Sequence, residues 1–252
     1  MKSEVLNIIN EQGTIFKNKC VFQMEYVPEI WKFREREFGL MAAYCRSLTE
    51  NIAPQHLLIT GDYATGKTTT LKQFLEVLND NFDKVRTVYI NCKLDKTEYQ
   101  IYSRIYQELN HISKPINGNN CKNLFTMITD KLVKENLVLI VALDDFDNIK
   151  SRDELNKVLY NLLRVHEVVP GTQISVFSVS NKGDLLIDPI VQTIFNRVEI
   201  NFGNYSLEQI NEILKDTFLL VTKSIKIIAM NIYSNKINQT ELLRSLSRYD
   251  KY

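Results

Sequence analysis

Residues 57–70 read LLITGDYATGKTTT. Leu57, Leu58 and Ile59 form a short apolar run. Gly61, Gly66, Lys67 and Thr68 satisfy the spacing G-x-x-x-x-G-K-(S/T), and Leu71, Phe74, Leu75 and Leu78 follow at helical intervals. A strand, a glycine loop and a helix in that order is the setting in which this spacing is a P-loop and not a chance turn. The loop must wrap a polyphosphate with its N–H groups pointing inward, and residues without a Cβ take those dihedrals and that close approach at least cost. Gly61, Asp62, Tyr63, Ala64, Thr65, Gly66, Lys67, Thr68 and Thr69 are therefore the candidate phosphate-binding set. Lys67 is expected to reach the terminal phosphates and the Thr68 hydroxyl to ligate Mg2+, with the positive end of the helix beneath.

The 252 residues suffice for a full α/β core and a small second lobe. With 31 basic and 30 acidic residues the net charge is +1, so no global field steers the chain toward nucleic acid, though a local basic face remains open. Cys20, Cys45, Cys92 and Cys121 lie far apart without a C-x-x-C pair, and there are 3 histidines. That spacing gives neither a zinc site nor a disulfide framework and fits reduced thiols. No apolar run has the length of a membrane span, and the opening MKSEVLNIINEQ is polar without a signal-peptide core. A soluble, cytoplasmic protein is expected, nucleoid association included, with no membrane partner.

Before the P-loop, Ile15, Phe16, Val21, Phe22 and Tyr26 are scattered apolar anchors in an irregular segment that Val27-Pro28 keeps from being helical. From Glu29, the spacing of Trp31, Phe33, Phe38, Met41, Ala42, Tyr44, Cys45 and Leu48 predicts an amphipathic helix that ends before Pro54. After it, residues 87–91 (TVYIN) read as a strand, and Thr97-Glu98-Tyr99-Gln100 as a capping box opening a helix through Leu109. A polar loop over 110–120 precedes a helix over 122–134. Residues 137–143 (LVLIVAL) are continuously apolar, as in a central strand covered on both faces. Ser151-Arg152-Asp153-Glu154 reads as a second capping box, residues 174–179 and 198–202 as strands, and Ser206-Leu207-Glu208-Gln209 caps a further helix. Alternating strands and helices followed by helix alone indicate a three-layer αβα parallel sheet over residues 1–204 and a small C-terminal helical lid over 205–252.

The long apolar strand ends in Asp144-Asp145-Phe146-Asp147. Asp144 is the candidate to hold Mg2+ directly or through water, and Asp145 the candidate base that polarises the attacking water. The same pair would also serve as a helix or turn cap. Asn181 ends the next strand, where parallel strands deliver their termini to one edge, and is the candidate to sense the terminal phosphate. Alone, a strand-terminal asparagine is an ordinary turn residue; its place after the P-loop and the acidic strand end gives it weight. Tyr99, Tyr102 and Tyr106 recur at helical spacing and read as a core stripe in preference to a base-stacking one. Lys114 and Lys122 read first as solvated surface and His166 as an ordinary histidine.

The phrases Ile15-Phe16-Lys17-Asn18-Lys19, Tyr26-Val27-Pro28-Glu29 with Arg34-Glu35, the P-loop, Tyr89-Ile90-Asn91-Cys92, Leu143-Asp144-Asp145-Phe146-Asp147, Leu159-Tyr160-Asn161-Leu162 and Val179-Ser180-Asn181 occur in one order. Together they resemble the AAA+ ATPases of the Orc/Cdc class, the archaeal and eukaryotic origin-recognition initiators and helicase loaders. The resemblance implies ATP or ADP with Mg2+ as cofactors, and a base pocket at Tyr26, Val27, Pro28 and Arg34. It implies Asp144 as the magnesium-associated acid and Asn181 as the sensor. It further implies oligomers, with other initiator subunits or with copies of this chain, and DNA contacts from an excursion between Asp95 and Lys122.

Departures from the family pattern bear on activity. Relatives carry Asp-Glu where this chain has Asp144-Asp145, a carboxylate one methylene shorter. The phrase Asp-Pro-Arg-Val, which supplies an arginine to a neighbouring subunit's nucleotide, here reads Asp188-Pro189-Ile190-Val191; Arg197 is near but out of register. The position equivalent to the family's sensor arginine falls near Thr240-Glu241, with Arg244 a substitute on the next turn, and no winged-helix domain is expected through Tyr252. Two functions follow: a divergent initiator-type ATPase whose weak or partner-dependent hydrolysis controls assembly on DNA, or a degenerate ATPase acting as a nucleotide-stabilised interaction module, transposition-regulator types included.

Overall fold

A computed structural model describes residues 32–114, 118, 120–181, 187–194 and 198–221 of the chain. Among the described residues five parallel strands form one sheet in the order β2-β3-β4-β1-β5: β1 is Leu57–Gly61, β2 Val85–Asn91, β3 Val138–Asp144, β4 Gln173–Val179 and β5 Val198–Phe202. The helices are α1 (Glu35–Tyr44), α2 (Lys67–Asn81), α3 (Glu98–Asn110), α4 (Cys121–Glu135), α5 (Arg152–Leu163), the single turn α6 (Val165–Val168), α7 (Pro189–Ile194) and α8 (Leu207–Val221). The described residues fall into two units that divide between Tyr205 and Ser206, α8 belonging to the second. Residues 1–31 and 222–252, which hold the N-terminal segment expected to be irregular and most of the expected lid, lie outside the described residues. Among the described residues no helix is long and apolar enough to cross a membrane.

Alternation along each strand assigns the two layers of helices. In β3, Leu139, Val141 and Leu143 pack with α3, α4 and α5 through Ile101, Tyr102, Ile105, Leu124, Ile128, Leu159 and Leu162. Val138, Ile140 and Ala142 pack on the other face with α1 and α2 through Met41, Leu71, Phe74 and Leu78. Every residue of β3 is buried, which is why its sequence is apolar without interruption. The edge strands β2 and β5 keep partly exposed positions between their buried ones. Parity then places Asp144 on the face of Val138, Ile140 and Ala142, toward α2 and the P-loop.

Local signals were read correctly at two of three caps. Thr97 Oγ1 accepts from Gln100 N at 3.3 Å and Gln100 Oε1 accepts from Thr97 N at 3.1 Å, closing the box at α3. In α8, Ser206 and Gln209 exchange the same pair at 3.2 and 2.9 Å. At α5 the box is only half made. Ser151 Oγ accepts from Glu154 N at 3.1 Å, but Glu154 Oε2 accepts from Glu98 N at 2.7 Å, so its carboxylate serves the first turn of α3 instead. The expected helix from Glu29 begins only at Glu35, because Phe33 has φ +62°, outside helical space; beyond Cys45 a 3-10 turn over Arg46–Glu50 replaces it.

His56, one residue before β1, is built into the sheet: its Nδ1 accepts from Val176 N of β4 at 3.1 Å. Burial, and then the charge of His166, pull its pKa from 6.5 down to about 4. The folded form is the neutral ring, and the unfolded chain binds the proton first. Stability from this site is therefore complete above pH 6.5 and is lost as pH falls toward about 4, by on the order of 3 kcal/mol in all. Chemical unfolding at pH 7.5 and 4.5 should show His56→Gln losing less stability over that interval than the parent chain; equal losses would contradict the assignment.

Candidate functional site

The neighbour order β3-β4-β1 gathers three strand ends: the P-loop after β1, Asp144 closing β3, and Ser180-Asn181 after β4. Cys92 N bonds to Asp144 O and Ser180 N to Ile59 O, each at 2.9 Å, so the ladder is carried to the edge where the site lies. A cavity of about 210 Å³ opens there, lined by residues 63–69 of the loop with Lys93, Asp144, Asp145 and Asn181. It sits outside the carboxyl ends of parallel strands, where open α/β sheets place ligands.

Two glycines fix the loop's path. Gly61 has φ +143°, and a Cβ there would run into the carbonyl oxygen of Phe202 on β5. Gly66 caps α2 with φ +84°, and its Cβ would come within 2.5 Å of the Tyr205 hydroxyl. Thr65 is buried and its Oγ1 donates to Asp62 O at 2.9 Å, closing the loop on itself. Lys67 is 6% exposed and its Nζ donates to Gly61 O at 2.8 Å and Asp62 O at 2.5 Å. Burial lowers its pKa, while the charges of Asp144, Asp145 and Asp62 oppose that shift.

Asp144, 2% exposed, is the acceptor at the centre of the site. Its Oδ2 accepts from Thr68 Oγ1 at 2.8 Å and from the Tyr89 hydroxyl at 2.6 Å, and its Oδ1 from Asp145 N at 3.1 Å. Burial and the bond to Asp144 hold the Tyr89 phenol above its usual range, so it remains a donor. Asp145 has φ +53° and lies one step past the strand. Its Oδ1 accepts from Asn181 Nδ2 at 2.7 Å and its Oδ2 pairs with Lys93 Nζ at 2.7 Å. The aspartate pair and the strand-terminal asparagine are thus in direct contact and beside Lys67.

A hydroxyl and a carboxylate 2.8 Å apart at the mouth of a phosphate loop form a hard-oxygen donor set that fits Mg2+. Among the described residues no group of three or more His, Cys, Asp or Glu could hold a metal without further ligands. Mg2+ bound through Thr68, Asp144, waters and phosphate oxygens needs none.

The other sequence-derived candidates separate. Arg34 is 5% exposed; its Nε donates to Thr65 O at 3.0 Å and one Nη to Gly203 O at 2.6 Å, and its guanidinium lies 4.0 Å from the centre of the Tyr205 ring. It joins the P-loop to the chain after β5. Tyr26, Val27, Pro28, Arg197, Thr240, Glu241 and Arg244 lie outside the described residues, and Ile190 is the second residue of α7. Tyr102 is buried, with Tyr99 and Tyr106 packed against the same core, so that stripe faces inward. Lys114, Lys122 and His166 are exposed.

Sequence reading missed Tyr89 and Lys93. Tyr89 could have been found from strand parity, since it is two residues before Asn91, which pairs with Asp144 in register. Nothing in the sequence marked Lys93.

The family model described as an AAA domain matches residues 52–180. The chain is 33% identical over 207 residues to the ORC1-type DNA replication protein 6 of Halobacterium salinarum, covering 81% of this chain and 55% of that protein. It is 34% identical over 217 residues to the ORC1-type DNA replication protein 2 of Methanothermobacter thermautotrophicus, covering 85% and 57%. The chain therefore spans about half the length of the curated relatives it matches. Among solved structures, the ORC2 protein of Aeropyrum pernix in ADPNP-ADP complexes superposes with a TM-score of 0.70 at 24% identity, covering 81% of this chain and 57% of that one. The ORC1 protein of the same organism in complex with DNA does so with a TM-score of 0.70 at 23% identity, covering 80% and 53%.

Proposed function

Since the chain belongs to the AAA domain family, in the Orc/Cdc class of its ORC1-type relatives, we propose that it is an initiator-like protein that binds ATP with Mg2+ and hydrolyses it weakly or only with a partner. The observation that carries this reading is the 2.8 Å contact between Thr68 of the P-loop and Asp144 of β3, with Asp145 and Asn181 lining the same cavity. The loop N–H groups hold the phosphates, Lys67 faces their charge, and Asn181 and Asp145 stand beyond as sensor and base. Bound Mg2+ would neutralise charge developing on the phosphate oxygens.

Slow turnover follows from two residues. Asp145 is one methylene shorter than the glutamate its position calls for, and Asn181 holds one of its oxygens at 2.7 Å. Ile190 stands where an arginine would be offered to a neighbouring subunit, so assembly with a subunit that carries one supplies what this chain does not. DNA is the remaining partner, as it is for the ORC1 protein of Aeropyrum pernix in its complex with DNA, and nucleotide state would control that assembly.

Binding to duplex DNA, measured with and without ATP–Mg2+ across a salt series, tests the whole reading. ATP-dependent binding that weakens steeply with salt is expected. A chain that takes up ATP but binds no DNA even at low salt is an interaction module instead.

A further inference from the structure

Among the described residues two cations line the cavity, and they differ. Lys67 is buried and tied to carbonyls of its own loop. Lys93 stands across from it on the loop after β2, with half of its side chain exposed and its ammonium paired to Asp145 at 2.7 Å. That pair keeps the ammonium protonated above its usual range. With its lysine half in water, the pair is screened and can exchange. Asp145 does not rely on it for position, since Asn181 holds its other oxygen at 2.7 Å. The long, flexible stem of a lysine lets the charge move without the backbone.

We propose that Lys93 is the residue by which this site tells a nucleoside triphosphate from a diphosphate, its ammonium passing from Asp145 to the terminal phosphate. The inference rests on the P-loop holding the inner phosphates. The third phosphate then extends toward Asp144 and Asp145, where two carboxylates already stand against it. Among the described lining residues two lysines and two aspartates cancel; without Lys93 that set is net negative where it meets the terminal phosphate. A diphosphate ends before that wall and is indifferent to the exchange.

Calorimetry with ADP and with a non-hydrolysable ATP analogue, both with Mg2+, tests this on the whole chain. In Lys93→Met the ratio of ADP to ATP-analogue dissociation constants should fall about tenfold through loss of the triphosphate alone, the size of one charge-assisted contact. Lys93→Arg, which keeps the charge, should retain the parent ratio. An unchanged ratio in Lys93→Met, or an equal fall in Lys93→Arg, overturns the assignment. If the parent chain binds neither nucleotide, it is the nucleotide-site reading that fails, which separates the two.

Discussion

Lys67→Ala is expected to weaken ATP binding in the presence of Mg2+ by on the order of 100-fold, the scale of losing a charge-assisted contact to phosphate. The side chain is almost fully enclosed, and its partners in the loop are the carbonyls of Gly61 and Asp62. Alanine is well accommodated in the first turn of α2, so the fold should survive with a melting temperature lowered by only a few degrees. A titration of Lys67→Ala showing undiminished affinity would mean that this cavity is not where the triphosphate binds. Thermal melting beside it separates loss of the site from loss of the fold.

The same enclosure shows why the P-loop was legible in sequence. A glycine with φ +143° against a neighbouring backbone oxygen, and another with φ +84° against Tyr205, leave the loop almost no freedom of residue type at those two positions. The continuous apolar run of β3 was legible for a related reason: burial on both faces removes every polar choice, and the run then has to stop at Asp144. Thr97 with Gln100 was legible because the box is local, made by residues three apart.

What stayed hidden is what depends on distance in sequence. Glu154 has the right place for a box with Ser151, yet its carboxylate bonds to Glu98 N, 56 residues away, because α3 and α5 lie side by side on one face of the sheet. Lys93, just past β2, pairs with Asp145, just past the neighbouring β3, a partnership that no spacing rule reports. The resemblance implies a base pocket at Arg34; the structure adds that its guanidinium bonds to Thr65 O and Gly203 O, 31 and 169 residues away, and so ties the P-loop to the chain just after β5.

Asp145→Glu is expected to raise ATP hydrolysis by the isolated chain about 10- to 100-fold, with nucleotide affinity nearly unchanged. Asp145 is the base under the proposed reading, and Asn181 holds its carboxylate at 2.7 Å. One added methylene advances the oxygens on the ångström scale, and misplacement of that size costs on the order of 100-fold in rate. The substitution carries a structural cost. Residue 145 has φ +53°, a conformation that aspartate tolerates better than glutamate, so a small loss of stability should accompany the gain in rate. Phosphate release under saturating ATP, followed at several protein concentrations, checks both parts. A gain that is independent of concentration means that the base limited the reaction within one chain. A rate that stays flat while affinity is retained shifts the limit to Ile190, where a missing arginine is worth roughly 10³ to 10⁵ in kcat and has to come from another subunit.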